Sequence, residues 1–166
     1  MEDRDFLREL SYEGISSRIK RLSDTLLYGT KEFYKEIGID IEPNWYLVFR
    51  LLQEYRQLSI KEVAARMQFS HPASIKIIRN MQEKGYLEVA TDPADSRKQL
   101  ISLSAKARKA MPELEKYWAA GLATMKEVLE DNPEFSAMLA KLEDKVQEIG
   151  FKERALRNLK KTQRKK

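Results

Sequence analysis

The chain has 166 residues, of which 42% are hydrophobic and 34% charged, with no cysteine and a single histidine, His71. This length is typical of one compact domain, or of a small domain with helical extensions. The lack of cysteine excludes disulfides, a thiolate nucleophile and cysteine zinc sites, and a single histidine excludes a multi-histidine metal cage. Because no glycine-rich phosphate-binding motif occurs either, the composition favours a protein that is not an enzyme and needs no cofactor.

The sequence shows no sign of a membrane partner. Residues 1–5 are mostly charged and lead into no apolar segment, so no signal peptide is predicted. Charges interrupt every apolar stretch well before the ~20 residues that a membrane span requires. We therefore expect a cytoplasmic location.

Charge is distributed unevenly along the chain, which carries a net charge of +5. Residues 1–55 hold 8 basic and 11 acidic side chains, residues 56–108 hold 10 and 5, residues 109–149 hold 5 and 9, and residues 150–166 hold 8 and 1. A basic middle between acidic segments is typical of a nucleic-acid-binding module on an acidic scaffold. The same blocks also arise on solvated helix faces, so charge alone leaves both interpretations open.

Two helices are predicted in the first third of the chain. Residues 6–38 carry apolar side chains at intervals of three, four or seven, which predicts one long helix that stops at Gly38. Its stripe consists of Ile15, Ile19, Leu22, Leu26, Phe33 and Ile37. Pro43 opens a second helix, whose apolar set is Trp45, Val48, Phe49, Leu52 and Tyr55. A long stripe at the edge of a small domain needs a partner, and a second copy of the chain is the simplest one.

The middle of the chain predicts a helix-turn-helix. Ser59 and Glu62 form a capping box that starts a helix burying Val63, Ala64 and Met67. After a break at Gln68 and Phe69, Ser70 caps a second helix over residues 71–84, with Pro72 in its first turn. This helix is expected to bury Ser74, Ile77, Ile78 and Met81 and to end at Gly85.

A hairpin and two helices follow. Residues 86–89 and 99–103 read as short strands around a polar loop, residues 92–98, which predicts a wing directly after the helix-turn-helix. Ser104 caps a long helix that we expect to bend at Pro112. Asn132 and Pro133 start a last helix carrying Phe135, Leu139, Leu142, Val146 and Ile149, and the basic residues 152–166 continue it before fraying.

The second helix of the helix-turn-helix carries the side chains that DNA recognition requires. Donors in its first turns can reach base edges in the major groove, and nearby cations can contact phosphates. The candidates off its buried face are Ser70, His71, Ala73, Lys76, Arg79 and Asn80. Ile75 lies at the margin of the buried face, and we expect it to pack inward rather than to contact a thymine methyl group.

The predicted wing adds a second contact with DNA. Arg97 at the tip of the loop can enter a narrow minor groove, where the negative potential is enhanced. Asp95 can accept hydrogen bonds from Arg97 or from loop amides and so hold the arginine extended, and Lys98 adds a neighbouring cation. An ordinary polar hairpin with a surface ion pair is the alternative.

Residues 59–104 resemble the winged helix of the multiple-antibiotic-resistance regulator (MarR) family of bacterial transcription factors. The resemblance lies in the helix from Ser70 to Gly85, the wing sequence Asp-Pro-Ala-Asp-Ser-Arg at residues 92–97, and the strand end at Leu103 and Ser104. It implies a mainly α fold: a winged helix-turn-helix with a short β-hairpin wing, flanked by long N- and C-terminal dimerisation helices. The expected domains are residues 1–40 and 109–166 for dimerisation and residues 41–108 for DNA binding.

The resemblance also implies a function. We expect a homodimeric regulator, a repressor or an activator with repression favoured, that binds double-stranded DNA at a pseudo-palindromic operator. A small aromatic or anionic effector that relieves repression is a further expectation. Aromatic residues in the segments that would line an effector cleft include Tyr28, Trp45, Phe49 and Trp118. Aromatics at helical spacing are more often core residues, so both interpretations stay open. The lack of cysteine excludes the thiol-based peroxide sensors of the family.

Two other classes of function remain. A winged helix can serve as a protein–protein adaptor without specific DNA binding, but Lys76, Arg79, Arg97 and Lys98 argue against that alternative. An enzyme would need a nucleophile–base pair or a metal constellation, and the sequence offers neither.

Overall fold

A computed structural model of the chain describes residues 4–163, which form two compact units, residues 4–114 and residues 115–163. Among the described residues, no helix has both the length and the apolar character needed to cross a membrane. The fold is mainly α-helical with one small antiparallel sheet, as the sequence predicts.

The amino-terminal segment forms two helices and not the single predicted one. Helix α1 (Phe6–Glu9) is followed by a tight turn and then by α2 (Ile15–Glu36). Ser11 in the turn has a positive φ, and a Cβ atom on Gly14 would collide with the carbonyl group of Leu7. The close approach of the two backbones therefore requires glycine and breaks the helix. Gly38, with φ +73°, lies just beyond the end of α2, as predicted.

The helix-turn-helix follows a core helix. Helix α3 (Trp45–Tyr55) leads through strand β1 (Gln57–Ser59) into α4 (Ile60–Met67) and α5 (His71–Glu83). Both halves of the predicted capping box are present: Ser59 Oγ accepts from the amide of Glu62 at 3.2 Å, and Glu62 Oε2 accepts from the amide of Ser59 at 2.7 Å. Gln68 takes the left-handed conformation, with φ 53°, that turns the chain between α4 and α5. Met67, expected to be buried, is only half-buried.

The sheet has three strands and not the two that the sequence predicts. Strands β2 (Leu87–Asp92) and β3 (Asp95–Leu103) form the hairpin, and β1 pairs with the other edge of β3, in the order β1-β3-β2. All neighbouring strands are antiparallel. Both hairpin strands extend into the segment predicted to be a loop, so the turn is much shorter than expected.

The first unit has its own hydrophobic core. The largest of its fully buried hydrophobic side chains come from α3, α4, α5 and β3, and each is less than 2% exposed: Val48, Phe49, Val63, Ile78, Met81 and Ile101. The rings of Trp45 and Phe49 each lie 5.7 Å from the ring of Tyr86 in edge-on geometry. The packed aromatic cluster connects α3 to the residue between α5 and the wing.

Helix α6 (Ala105–Val128) begins in the first unit and ends in the second. It remains helical through Pro112. In the second unit it is followed by α7 (Glu134–Glu148) and α8 (Phe151–Gln163), which is a separate helix where the sequence predicts a continuation. Arg154 connects α8 to the end of α7, since its guanidinium group donates to the carbonyl oxygens of Ile149 and Lys145 at 2.9 and 2.5 Å. The last three basic residues of the predicted tail lie outside the described residues.

Candidate nucleic-acid interface

Helix α5 separates a buried face from a basic face. Ser74, Ile77, Ile78 and Met81 are all buried, as the sequence predicts. Of the candidate DNA-binding residues on and beside the helix, Asn80 is half-buried and the others are exposed: Ser70, His71, Ala73, Lys76 and Arg79. The structure therefore brings the predicted donors and cations together on one exposed helix.

Local hydrogen bonds start and end α5 at the predicted positions. Ser70 Oγ accepts from the amide of Ala73 at 3.4 Å, and Pro72 lies in the first turn, where its missing amide hydrogen has no cost. Gly85, with φ +73°, follows the end of the helix. The first turn of α5, where a recognition helix approaches base edges, is consequently well defined.

The two cations of α5 differ in their surroundings. Arg79 Nε lies 3.0 Å from Glu83 Oε1, and both side chains are exposed. Lys76 forms no ion pair with any residue from 4 to 163. The spacing of Arg79 and Glu83, four residues apart on a helix, is a signal by which the sequence could have revealed this pair.

Ile75 is not packed inward as expected. Its side chain is 41% exposed, and it lies on the same face of α5 as the basic residues. The buried face is already filled by Ser74 and Ile78, which leaves the side of the helix at residue 75 uncovered. The inward interpretation is therefore wrong.

The wing differs from the predicted loop in the position of its arginine. Only Pro93 and Ala94 lie between the two strands, so the tip of the hairpin is at these residues and Arg97 lies within β3. The ladder shifts here: Thr91 pairs with Gln99 but Asp92 pairs with Asp95, which leaves residues 96–98 in an irregular, bulged segment. A bulge bends its strand and redirects a side chain, and here it presents the exposed Arg97 beside the tip.

Asp95 holds the backbone of the wing and not the arginine side chain. Its Oδ1 accepts from the amide of Arg97 at 3.0 Å, which is the loop-amide alternative of the two that the sequence left open. Asp92 Oδ1 accepts in the same way from the amide of Ala94, at 2.9 Å. The Arg97 guanidinium group has no ion-pair partner among the described residues.

Lys98 is engaged within the protein. Its Nζ lies 3.5 Å from Glu62 Oε1 and 3.8 Å from Asp92 Oδ2. Hydrogen bonds from the hydroxyl and amide groups of Ser59, together with the nearby Lys98, lower the pKa of Glu62 to about 2. Lys98 thus links the wing to the start of α4, an arrangement that the sequence did not predict because the two residues lie 36 positions apart.

Further long-range contacts hold the base of the wing. Lys106 Nζ donates to the carbonyl oxygen of Lys84 at 2.7 Å and lies 4.2 Å from the centre of the Tyr86 ring. Lys84 itself pairs with Asp40 at 2.5 Å, and this contact lowers the pKa of the Asp40 carboxyl group. These pairs position the residues that join α5 to β2.

The aromatic residues predicted for an effector cleft divide into two groups. Trp45, Phe49 and Trp118 are buried, whereas Tyr28 is 65% exposed. Trp45 and Phe49 pack against Tyr86 in the core of the first unit, which agrees with the core interpretation. An effector site at these four residues remains a prediction.

An open cavity of about 840 Å³ lies in the first unit between the end of α3 and the sheet. It is lined by basic residues and acidic residues in equal number: Arg56, Lys98, Arg108, Glu62, Glu88 and Asp92. The acidic groups of Glu88 and Asp92 accept hydrogen bonds from backbone amides. Because these charges are mixed, the lining favours neither an anionic nor a cationic ligand.

The arrangement of α4, α5, β2 and β3 defines the chain as a winged helix-turn-helix protein. Residues 39–98, which contain these elements up to the bulge of β3, match the model of the MarR family. Over its winged helix the chain is therefore similar to the MarR family, as the resemblance predicts.

Solved structures share the fold over most of the chain. The S. aureus MepR–DNA complex is 19% identical, with a TM-score of 0.68, and covers 80% of this chain and 97% of that one. The M. tuberculosis regulator MOSR in complex with DNA is 18% identical, with a TM-score of 0.69 and coverage of 82% and 98%. A mutant MarR from E. coli complexed with operator DNA is 17% identical, with a TM-score of 0.65 and coverage of 86% and 99%. No curated protein matches the chain in sequence.

Proposed function

We propose that this chain is a sequence-specific DNA-binding regulator that inserts α5 into the major groove and the β2–β3 wing into the adjacent minor groove. The observation that carries the proposal is the exposed face of α5, where donors and cations lie opposite a fully buried face. Such a helix can approach base edges because its own fold occupies only the other side. The DNA complexes among the structural neighbours, and the family of the winged helix, support the same function.

Arg97 is the minor-groove residue of this proposal. The bulge of β3 leaves its guanidinium group exposed and without an ion-pair partner within residues 4–163, so no internal contact has to break when DNA binds. Lys98 would first have to leave Glu62 and Asp92. We therefore assign direct phosphate or groove contact to Arg97, and a positioning role in the wing to Asp95 and Lys98.

Lys76 and Arg79 provide the cationic contacts of the recognition helix. If Lys76 contacts a guanine, replacing it with alanine weakens only sites that hold that base; if it contacts phosphate, the loss is uniform across sequences. Arg79 must exchange Glu83 for DNA, at little cost, because an exposed ion pair four residues apart on a helix contributes at most about 0.5 kcal/mol. Ser70, His71 and Asn80 supply donors on either side of the two cations.

We also propose that the regulator is a homodimer on a pseudo-palindromic site. The support is the exposed apolar stripe of α2, from Ile15 to Leu26, and that of α7, from Phe135 to Val146. Burying both stripes between two copies would give an obligate interface of upwards of ~2,000 Å². Repression, and its relief by a small aromatic or anionic effector, rest on the family resemblance alone.

Two steps test the proposal. Preferred duplexes are first selected from a randomised library, and the affinity of two wing variants for a selected duplex is then measured. Arg97→Ala should lower operator affinity by about 1–3 kcal/mol, because a minor-groove cation and its counterion release are lost. Lys98→Ala is the matched control, and we expect a smaller loss because its charge is already partnered. If Arg97→Ala binds like the wild type, the wing does not enter the groove.

The salt dependence of binding separates DNA recognition from the adaptor alternative. If each subunit uses about three to five cations, the dimer neutralises ~6–10 phosphates, and log K should fall with log salt with a slope of about −5 to −9. The candidate cations are Arg66, Lys76, Arg79, Arg97 and the basic residues of α8. A slope near zero would favour a protein–protein adaptor.

A further inference from the structure

Ile75 lies outside the buried core of the first unit. Within α5, all of whose residues the structure describes, it is the one large apolar side chain that is exposed, at 41%. The core side of the helix is occupied by Ser74, Ile77, Ile78 and Met81. Its side chain is therefore available for a contact outside the fold of the first unit.

The position of Ile75 along the helix places it among the proposed DNA contacts. It is the fifth residue of α5, and residues four apart lie on the same side of a helix. Ile75 thus lies between His71, one turn earlier, and Arg79, one turn later, with Lys76 beside it. A helix that brings these polar side chains to base edges brings Ile75 to the same depth.

The major groove offers one apolar group at its base edges. Adenine, guanine and cytosine present only donors and acceptors there, whereas thymine presents its C5-methyl group beside the O4 acceptor. A branched aliphatic side chain in the groove leaves the donors and acceptors of other bases without partners. It gains free energy only by removing the thymine methyl group from water.

We propose that Ile75 is a specificity-determining residue that contacts the C5-methyl group of a thymine in each half-site. This inference rests on the proposed function, because it requires α5 to enter the major groove. It goes further by naming the base that one position of the operator must hold.

Replacing single thymines with deoxyuridine in a selected duplex tests the contact, because the change removes only the methyl group and keeps the base pair. One methyl group is worth ~0.8 kcal/mol, so the wild type should lose about fourfold in affinity at one position of a half-site. The loss should be about fifteenfold when both half-sites are changed. In Ile75→Ala, the same replacement should have no effect, and Ile75→Val should give an intermediate ratio.

Leu47→Ala is the matched control, since Leu47 is similarly exposed, at 38%, but lies on α3. The ratio of its affinities for the thymine duplex and the deoxyuridine duplex should equal that of the wild type, even if both affinities change. Thermal unfolding of Ile75→Ala should match that of the wild type, because the side chain is not part of the core.

Two results would overturn the inference and leave DNA recognition intact: a wild-type scan without any sensitive thymine, or a sensitive thymine that remains sensitive in Ile75→Ala. Either would mean that Ile75 faces something other than a thymine methyl group, such as a partner protein. If selection returns no preferred duplex, the proposed function itself fails. Failure of the library selection therefore contradicts the proposed function, whereas failure of the deoxyuridine scan contradicts only the contact between Ile75 and thymine.

Discussion

The two units of this chain use their apolar residues in opposite ways. Among the described residues, every buried hydrophobic side chain except Trp118 lies at or before Leu114, while α7 and α8 bury none. Their apolar residues are exposed instead, for example Phe135 at 48% and Leu142 at 42%. The first unit carries its own core, whereas α7 and α8 are amphipathic helices that need a partner surface to be stable in water.

Helix α2 belongs to the first unit but resembles α7 in this respect. Only Tyr34 of its 22 residues is buried, although the helix carries an apolar stripe from Ile15 to Leu26. The compact part of the first unit is therefore the winged helix together with α3 and the first turns of α6. The stripes of α2 and α7 are the surfaces on which dimerisation is proposed.

The largest effect is expected from breaking the proposed dimer. Ile19→Asp combined with Leu142→Asp places a charge in each stripe, and the cost of burying unpaired carboxylates should abolish association at micromolar concentration. Tight operator binding should be lost with it. Sedimentation analysis checks the mass of the species, and Ser17→Asp with Ala137→Asp, on the opposite helix faces, is the charge-matched control. A stable wild-type monomer at micromolar concentration would contradict the proposed homodimer.

The difference in packing between the two units can be tested with a Phe→Ala substitution in each of them. In the Ile19→Asp and Leu142→Asp background, Phe49→Ala should lower the free energy of unfolding by about 3–5 kcal/mol, because Phe49 is fully buried and leaves a cavity. Phe135→Ala should change it by no more than about 0.5 kcal/mol, as expected of an exposed site. Chemical denaturation measures both values. Similar losses at the two positions would mean that α7 has a core in the isolated chain.

A smaller effect is expected at the capping box, and it depends on pH. Glu62→Gln should cost about 1 kcal/mol at neutral pH, since it weakens the cap of α4 and the contact with Lys98. The folded protein holds the pKa of Glu62 at about 2, below the ordinary value of 4.5. Its contribution is therefore fully present above pH ~4.5 and is lost as the pH falls towards ~2.

Unfolding curves of the wild type and Glu62→Gln between neutral and acidic pH check this prediction. The difference in stability between the two proteins should shrink as the pH falls through that window. Glu83→Gln serves as control, because its pair with Arg79 is an exposed contact worth at most about 0.5 kcal/mol. A difference that stays constant down to pH ~2 would mean that the carboxylate of Glu62 does not stabilise α4.

Elements with local signals were predictable from the sequence. The start of α4 at the capping box, the start of α5 at Ser70 and its end at Gly85 each depend on side-chain or backbone preferences within a few residues. Helical periodicity predicted the four buried residues of α5, although Ile75 at the margin was wrongly expected to pack with them. The exposed donors of the candidate interface followed from the same periodicity.

Features that depend on distant partners were not predictable. Strand β1 has only three residues and exists because it pairs with β3 more than 40 positions later. The break between α1 and α2 depends on the close approach of Gly14 to the backbone of Leu7. The length of the wing strands depends on their mutual pairing, which moved Arg97 from the predicted loop tip into a bulge.

By itself, then, the sequence determined the helix-turn-helix, the hairpin that follows it and the set of cations that face away from the core of the winged helix. These depend on periodicity, capping and turn residues, which act over one or two helical turns. Only the tertiary structure decided which of those cations are free. Lys98 is held by Glu62, 36 residues away, and Arg97 is released by a bulge in the strand pairing. It also decided that Ile75 stays exposed, because neighbouring side chains had already filled the core beneath α5.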